Sequence, residues 1–404
     1  MTQLVLYDDE RGRLFEPFAL TRPVCELRAG ALLIRERWER AFALRARGSL
    51  VATHLAQFSE PGAPSAVREG RLAAGTVVAN SRCAVALAAV DAGAGVWRCD
   101  GLVAAVRLAR DAEVDVFADG ALALESLVSP DAREAQVRGR WLGEVWDLVA
   151  TLGTMLGEDL PALADGVAAT AVPQRVHVIG THAVTLEPGA AVEPLVVLDA
   201  TAGPIHLAAG ATVQAFTRLV GPCYVGHGSS ILGDRVSGCS IGDVCRVRGE
   251  ISASVMIGHA NKGHDGFVGH SYLGRWVNLG AGTTTSNLKN TYGSVALWTP
   301  SGVRDTGLQF LGSLLGDHAK TGIGTRLTTG TVVGVGANVY GSTMPPKYVE
   351  PFAWGDGTPY GAYVLDKFLA VAERAMARRQ VALDDRGRAQ LAAAYARGRA
   401  GSGS

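Results

Sequence analysis

The stretch that decides the fold runs from Leu311 to Gly341 and reads LGSLLGDHAKTGIGTRLTTGTVVGVGANVYG. Aliphatic or threonine residues recur within it at a constant spacing of six, with Gly, Asp, Thr and Asn between them: Leu315, Thr321, Leu327, Val333 and Val339. An α-helix, with about 3.6 residues per turn, cannot hold this period on one face, and a β-strand alternates every second residue. The period instead predicts coils with three short flat sides that stack into a parallel β-helix.

The same register occurs upstream. The repeated positions there are Leu186, Val192, Leu198, Leu207, Val213, Leu219, Val225 and Ile231. Between the two regions an aliphatic residue is repeatedly followed by Gly, which favours tight corners: Ile241–Gly242, Ile257–Gly258, Val268–Gly269, Leu273–Gly274 and Leu279–Gly280. A Gly-rich β-sandwich is the alternative, but it would show strand alternation and irregular turn spacing. We therefore predict a β-helical domain over residues 166–341.

Composition narrows the classes of function. The 404 residues suffice for two or three domains, and the formal net charge is zero, without a run of Lys or Arg. A partner such as nucleic acid or an anionic membrane is therefore not expected. The N-terminus, MTQLVLYDDERG, lacks the pattern of a signal peptide, and we expect a cytoplasmic protein. The six cysteines form no CxxC pair and are expected to be reduced packing thiols.

The first 165 residues are predicted to form an α/β domain. Residues 3–7, QLVLY, suggest a buried strand, and Ala31–Phe42 carries apolar residues at helical spacing. The loop between them concentrates donors that suit phosphate, Arg13, Thr21, Arg22 and Arg28. Ordinary ion pairs within the domain are the alternative role for these arginines. Asn80–Arg82 and Trp146–Asp147 are further polar candidates, each with a structural role as its alternative.

The segment RLFEPFALTRPVCELRAGALLIRERW resembles the nucleotide-binding signature of the sugar-1-phosphate nucleotidylyltransferases. The matching residues are Arg13, Leu14, Pro17, Thr21 and Pro23. The resemblance implies that this loop binds UTP, with Mg²⁺ if the nucleotidyl step is active. This chain departs from the family where a Gly-rich turn and a lysine are replaced by residues 7–12, YDDERG, and by Val24. Three carboxylates would repel a triphosphate unless Mg²⁺ lay between them.

The regular repeat is interrupted over residues 261–295, which read NKGHDGFVGHSYLGRWVNLGAGTTTSNLKNTYGSV. They bring His264, Asp265 and His270 close in sequence to several Lys and Asn residues. Neighbouring coils lie about 4.8 Å apart, as strands do, so residues one or two coils apart converge on one patch. We therefore expect a functional site on this part of the β-helix.

This segment resembles the acetyltransferase half of GlmU, the bifunctional enzyme family that makes UDP-N-acetylglucosamine. Aligning the family's V-N-I-G-A-G motif with Val277–Gly282 places His264 on the catalytic histidine. The resemblance implies that Phe267 and Asn278 bind the sugar, and that Ala281, Gly282 and Asn287 meet the acetyl donor or the reaction centre. Lys262 is displaced by one residue from the family's lysine, and we expect it to bind substrate together with Lys289.

Several further roles depend on the same resemblance. Arg246 and Arg248 are expected to supply phosphate-binding charge where this chain lacks a family lysine. His318 and Lys320 are candidates for the phosphates of coenzyme A or for a site completed by a neighbouring subunit. A variant set of GlmU-like proteins, described as sugar nucleotidylyltransferases, is similar along essentially the whole chain. The family implies a left-handed β-helix and a homotrimer that binds a sugar phosphate and acetyl-CoA.

The expected chemistry is proton removal from the amine of glucosamine-1-phosphate by His264 as that amine attacks the thioester. Backbone N–H groups at Gly280–Gly282 are candidates to bind the developing oxyanion. Asp265 would orient the imidazole or cap a coil, and His270 would relay a proton or only pack. Residues 283–310 are predicted to be a loop that reaches a neighbouring subunit.

Residues 342–404 are predicted to be a connector and two helices that cap the β-helix, followed by a GSGS tail. Two other functions stay open. The chain could be a scaffold or sensor that binds nucleotide sugars without catalysis, since the acidic loop argues against nucleotidyl transfer. A hexapeptide metalloenzyme resembling carbonic anhydrase would instead need His264, His270 and His318 to converge between subunits.

Overall fold

A computed structural model describes residues 2–400, and these residues form two compact units. The first contains residues 2–145 and 384–397, and the second contains residues 146–383 and 398–400. The division differs from the predicted boundary at residue 165, because the helix Leu152–Ala164 contacts strands of the β-helix. The predicted GSGS tail lies outside the described residues.

The first unit is built on a mixed six-stranded sheet. Its strands, in spatial order, are Glu134–Gln136, Val96–Cys99, Leu102–Arg107, Val77–Asn80, Leu4–Tyr7 and Ala46–Leu50. Short strand pairs flank it: Arg28–Ala29 with Leu32–Leu33, Arg71–Leu72 with Ala112–Glu113, and Cys83–Val85 with Gly139–Trp141. The strand Leu4–Tyr7, second from one edge, is parallel to both neighbours and entirely buried. The predicted opening of strand, loop and helix is confirmed, with the helix at Ile34–Phe42.

Residues 385–397 of the last helix, Asp385–Ala400, belong to this first unit. Leu391 and Ala394 are buried there, and the Gln390 side chain donates to the carbonyl of Thr21 at 3.5 Å. The prediction that this helix caps the β-helix is therefore wrong for residues 385–397. A burial pattern alone cannot show which domain an amphipathic helix covers.

The second unit is a three-sided parallel β-helix. Its first sheet contains His177–Gly180, Val197–Ala200, Thr217–Val220, Asp234–Ser237, Glu250–Ser252 and Phe267–Gly269. The second contains Val184–Leu186, Ile205–Leu207, Cys223–Val225, Ser240–Asp243, Val255–Gly258, Tyr272–Leu273, Leu314–Leu315, Val332–Val333 and Tyr348–Val349. The third contains Ala191–Val192, Thr212–Val213, Ser230–Ile231, Arg246–Val247, Asn261–Lys262, Asn278–Leu279, Lys320–Thr321, Asn338–Val339, Ala353–Gly355 and the antiparallel Gly361–Ala362. The predicted hexapeptide β-helix is confirmed.

The interior of the β-helix is filled by columns of side chains, one from each coil. On the third sheet the inward column reads Val192, Val213, Ile231, Val247, Lys262, Leu279, Thr321 and Val339. All are buried, and adjacent members pair across parallel strands except Lys262 and Leu279, whose strands pair through Asn261 and Asn278. Each coil therefore covers the inner surface of the next. Lys262 is the one lysine within this column.

The chain leaves the β-helix later than residue 283. Thr284–Thr285 still pairs with Arg326–Leu327 and extends the coil beyond Phe267–Gly269. The excursion begins after this strand and contains the antiparallel hairpin Ala296–Thr299 and Gly302–Asp305.

The helix Leu365–Ala377 follows the last coil. Its Phe368 ring contacts the rings of Phe352 and His318, with centroid distances of 5.0 and 5.9 Å. This helix therefore covers the end of the β-helix, as predicted. A short helix, Asp147–Ala150, and the helix Leu152–Ala164 precede the first coil. Within residues 2–400, no helix is both long and apolar enough to cross a membrane.

Close stacking of the coils predicts a strong effect of a methyl group at Gly266. This residue has φ of +127°, and a Cβ built on it would lie 2.2 Å from the carbonyl oxygen of Thr283 in the next coil. Gly302 has a similar φ of +104°, but a Cβ there would meet nothing within 4 Å. Gly302→Ala should lower the free energy of unfolding by about 1–2 kcal/mol through backbone strain. Gly266→Ala should lower it clearly further, as measured by urea denaturation, and equal losses would contradict the stacking argument.

Candidate functional site

A column of polar side chains runs along the outer face of the third sheet. In register from coil to coil it contains Arg246, Asn261, Asn278, Lys320 and Asn338. We call these five residues the polar column. All of them are half-buried, whereas the next residue of each strand points into the core. The structure thus brings together three predicted site residues and adds Asn261 and Asn338, which the coil period could have revealed.

The polar column presents both amide and cationic donors. The Asn261 amide nitrogen donates to the side-chain oxygen of Asn278 at 2.9 Å. The Arg246 guanidinium donates to the carbonyls of Gly228 and Cys245, each at 3.0 Å. Burial lowers the pKa of Lys320 to about 8. Because these cations face neutral carbonyls, the column suits an anionic ligand such as a phosphate.

His264 lies on the turn that follows the strand Asn261–Lys262 of this column. We call residues 263–266 the His264 turn, and the side chains of His264 and Asp265 are exposed. The Gly282 N–H donates to the Asp265 carbonyl at 3.0 Å, so the predicted pair Ala281–Gly282 stacks on this turn. The structure therefore places His264, Ala281 and Gly282 together, beside the polar column.

Arg248 faces carboxylates rather than an open phosphate site. Its Nε lies 3.2 Å from an Asp234 oxygen and 3.4 Å from an Asp265 oxygen. All three side chains are exposed, so each pair contributes little stability by itself. The prediction that Asp265 orients His264 finds no contact in its support, since Asp265 instead faces Arg248.

Asn287 contacts His270 and not His264. The Asn287 amide nitrogen lies 2.8 Å from Nδ1 of His270, whose ring stacks on Phe310 at 5.4 Å. His264 precedes the strand Phe267–Gly269, whereas His270, which Asn287 contacts, follows it. The two predicted catalytic residues, His264 and Asn287, therefore lie at opposite ends of this strand. Burial lowers the pKa of His270, which favours the neutral imidazole. The amide donor then leaves the imidazole proton on Nε2.

Phe267 lies between these two ends, on the outer face of the strand. A Cβ built on Gly269 would lie 2.4 Å from the Phe267 ring and 2.7 Å from the Asn287 amide nitrogen. The missing side chain at Gly269 therefore lets the ring and the amide meet. This explains physically why a glycine follows Val268 here.

The amides of Gly280 and Gly282 do not form the predicted oxyanion site. The Gly280 N–H donates to the carbonyl and the hydroxyl of Thr321, both at 3.1 Å, and the Gly282 N–H is bound to Asp265. Both amides stabilise the stacking of coils. A corner that is rich in glycine is therefore a fold requirement at this position.

Three other predicted residues are placed differently from expectation. Lys262 points into the β-helix and is fully buried, so its ammonium does not reach the outer surface. His318 is buried at a corner with φ of +60°, and its ring stacks on Trp276 at 6.2 Å. Lys289 lies on the excursion and donates to the carbonyl of Ser294 at 2.5 Å. His318 therefore packs under the helical cap, which does not suit the predicted contact with coenzyme A.

The four predicted nucleotide-binding residues have partners within the first unit. Arg13 donates to the carbonyls of Asp8, Ala118 and Phe117, and Arg22 forms a two-bond pair with Glu60 at 2.9 and 3.2 Å. Thr21 and Arg28 are buried, and their side chains donate to the carbonyls of Phe18 and Ala31. The alternative role, as ordinary contacts within the domain, accounts for all four.

The acidic loop is also occupied by internal contacts. Burial would raise the pKa of Asp9, but Arg82 and Asn80 lower it overall by donating to its carboxylate, with Arg82 Nη2 at 2.6 Å. Asp8 is buried and accepts from the Val24 N–H at 2.9 Å. Among residues 2–400, no group of three or more His, Cys, Asp or Glu residues is placed to hold a metal ion. Asp8 and Asp9 of the acidic loop are therefore engaged by groups of their own domain.

Two cavities lie near the end of the β-helix, away from the His264 turn. The larger, of about 590 Å³, is lined by residues of the last strands and of the helix Leu365–Ala377, including Trp354, Tyr363, Lys367 and Arg374. The smaller, of about 280 Å³, contains Tyr348, Glu350 and Arg399 among its lining residues. The His264 side chain lines neither of these two cavities.

Asp8 gives a prediction about pH. Burial raises its pKa from 3.8 to about 6. An acid that binds its proton more tightly when folded loses its stabilising contribution as the pH rises through that interval. Asp8→Asn keeps an acceptor for the Val24 N–H, so it should raise the free energy of unfolding by on the order of 1–3 kcal/mol at pH 7. The gain should shrink below pH 6 and vanish near pH 4 in thermal unfolding, and a gain that stayed constant from pH 4 to pH 7 would contradict the burial argument.

Comparison with known proteins agrees with this architecture. A family model described as sugar nucleotidyl transferase matches residues 4–167. The chain is 31% identical over 91 residues to the bifunctional sugar-1-phosphate nucleotidylyltransferase/acetyltransferase of Sulfurisphaera tokodaii. The aligned segment covers 22% of this chain and 23% of the relative. The chain is also 30% identical over 101 residues to the bifunctional protein GlmU of Methanococcus vannielii. That aligned segment covers 25% of this chain and 24% of the relative. The chain thus spans less than a quarter of the length of either curated relative.

Solved structures that resemble part of this chain include two transferases. An Arabidopsis UDP-N-acetylglucosamine acyltransferase covers 52% of this chain and 80% of its own, with 11% identity and a TM-score of 0.32. The match to a hexapeptide transferase family protein from Anaplasma phagocytophilum covers 55% of this chain and 99% of that protein, with 13% identity and a TM-score of 0.29. The resemblance predicted from the sequence is confirmed: the chain is GlmU-like, with residues 4–167 matching the sugar nucleotidyl transferase family model and a hexapeptide β-helix following them.

Proposed function

We propose that this protein is a transferase of nucleotide-sugar biosynthesis. Its β-helix transfers the acetyl group of acetyl-CoA to the amine of an amino-sugar-1-phosphate that resembles glucosamine-1-phosphate. The observation that carries the proposal is the exposed His264 on a turn beside the polar column, in a chain that also has a sugar nucleotidyl transferase domain. The proposal places the protein in the cytoplasm, where both substrates are made.

The chemistry requires one base and one anion site. His264 accepts a proton from the amine as the nitrogen attacks the thioester carbonyl, so that a C–N bond forms and the C–S bond breaks. The thiolate of coenzyme A leaves and takes up a proton. Arg246 and Lys320 bind phosphate groups, and Asn278 binds a sugar hydroxyl, since the polar column offers cations and amides side by side. Among the other predicted substrate residues, Phe267 supplies an apolar wall and Lys289 a cation.

We propose that the complete site lies between subunits of a homotrimer. His264 and Asn287 are at opposite ends of the strand Phe267–Gly269, and Asn287 contacts His270 rather than His264. A neighbouring subunit would place its Asn287 and neutral His270 near His264 of the first. The His270 Nε2–H then takes the role of oxyanion donor that the Gly280 and Gly282 amides cannot fill.

A second candidate function concerns the first unit. Arg13 and Arg22 bind groups of their own domain, and Asp9 is paired with Arg82. These contacts favour a domain that has lost uridylyl transfer and binds nucleotide sugars as a sensor or scaffold. Retained uridylyl transfer would instead require UTP and Mg²⁺ to displace internal contacts. Pyrophosphate release from UTP separates these two outcomes.

His264→Ala should reduce acetyl transfer by about 10²–10⁴-fold, because the general base is lost. The measurement is thiol release from acetyl-CoA with glucosamine-1-phosphate, with pyrophosphate followed separately after addition of UTP and Mg²⁺. His227→Ala, which changes an exposed histidine elsewhere on the β-helix, is the matched control and should retain activity. Full activity of His264→Ala would remove this residue from the mechanism.

A site between subunits also predicts complementation. His264→Ala and Asn287→Ala should each be inactive as pure proteins. If the two residues act across an interface, random mixed trimers should contain about a quarter of their sites intact. Unfolding and refolding an equal mixture should then restore about that fraction of wild-type thiol release. A mixture without activity, although mixed trimers have formed, would place both residues within one subunit.

A further inference from the structure

The inward column of the third sheet contains a buried lysine where the other coils carry Val, Ile, Leu or Thr. Lys262 pairs with Val247 on one side, and the strand of Leu279 lies on the other. Its exposed fraction is 0%, which is rare for an ammonium and requires polar partners inside the core. The lysine is therefore held by specific contacts and does not simply fill space.

Those partners are both on the His264 turn. The Lys262 Nζ donates to the carbonyl of His264 and to the carbonyl of Asp265, the latter at 2.7 Å. The Asp265 carbonyl also accepts the Gly282 N–H from the next coil. Lys262 thus ties the backbone of the turn to the interior, on the side opposite to the exposed imidazole.

The turn has little room to adopt another path. Gly266 has φ of +127°, which a residue with a side chain rarely adopts, and its carbonyl lies 2.4 Å from where a Cβ on Gly249 would be. Loss of the lysine contacts would leave the His264 carbonyl without its ammonium donor, while the Asp265 carbonyl would keep the Gly282 N–H. Burial lowers the pKa of Lys262 to about 8, although Asp265 and Asp234 act in the opposite direction.

We infer that Lys262 is a positioning residue that acts from inside the β-helix, holding the His264 turn so that the imidazole faces the acceptor amine. This inference rests on the proposed function of His264 and replaces the earlier expectation that Lys262 binds the sugar phosphate. It distinguishes two effects of removing the ammonium. A substrate ligand would mainly raise the KM for the sugar phosphate, whereas a positioning residue would mainly lower kcat.

The test is Lys262→Met, which keeps an unbranched side chain of similar length in an apolar column. The methionine fits the apolar column but leaves the turn carbonyls without their ammonium donor, so the variant should fold with a moderately lower unfolding temperature. We expect kcat for thiol release to fall at least tenfold, with the KM for glucosamine-1-phosphate within about twofold of wild type. A purely structural lysine would lower the unfolding temperature in the same way but leave kcat of the folded fraction unchanged.

Hydrogen–deuterium exchange gives a second measurement that needs no activity. The Gly282 amide is bound to the Asp265 carbonyl, so its exchange should accelerate at least tenfold in Lys262→Met if the turn is released. Lys347→Met is the control, since the Lys347 ammonium also donates to a backbone carbonyl, that of Thr329, in a later coil. It should leave both kcat and Gly282 exchange unchanged.

The outcomes separate this inference from the proposed function. Faster Gly282 exchange together with a lower kcat supports both. Faster exchange in a protein whose wild type releases no thiol would reject acetyl transfer but retain Lys262 as the residue that holds the turn. Unchanged exchange, or a raised KM with kcat intact, would overturn the inference.

Discussion

The structure depends on the parallel stacking of short strands, in which every coil supplies the hydrogen-bond partners and the apolar cover of the next. A strand of two residues has no stability alone, and the inward column of one coil is covered only when its neighbours are present. The backbone conformation of each corner must therefore repeat from coil to coil, as the strands do. At the corner between the second and third sheets, Val244, His259, Trp276, His318 and Phe352 all have positive φ, although none is a glycine. Backbone strain is accepted there because the stacked coils over-determine the path.

This constraint decides where chemistry can be placed. Residues that point inward are committed to the column, and backbone amides at the corners are committed to the next coil, as Gly280 and Gly282 show. Only outward side chains and the turns between sheets remain for a ligand. The polar column and the His264 turn are two such places, and they adjoin because the turn follows the strand of Asn261 directly. A regular scaffold thus aligns outer side chains about 4.8 Å apart without any dedicated loop.

The same regularity explains what the sequence could and could not predict. The period of six identified the β-helix, since it depends only on which side chains the columns bury. It did not reveal which side of a strand Lys262 faces, because a lysine is expected outside and only the pairing of Val247 with Lys262 shows that it is inside. Asn287 and His264 match a known spacing, yet the contact of Asn287 with His270 depends on where the excursion leaves the coil. In the first unit the sequence identified Arg13 and Arg22 as donors, but the distant acceptors Ala118 and Glu60 become neighbours only in the fold.

Arg22 and Arg82 of the first unit differ from Arg246 of the polar column in the partners they have, and this difference bears on where an anion can bind. In the first unit, Arg22 and Arg82 form close pairs with the carboxylates of Glu60 and Asp9, at 2.9 and 2.6 Å. A guanidinium paired with a carboxylate has little net attraction for phosphate, and separating a buried pair leaves an uncompensated charge. In the polar column Arg246 instead donates to two carbonyls, which satisfy its hydrogen bonds without cancelling its charge. Phosphate binding therefore costs less at Arg246 than at Arg22 or Arg82, which is a physical reason to seek the active chemistry beside the polar column.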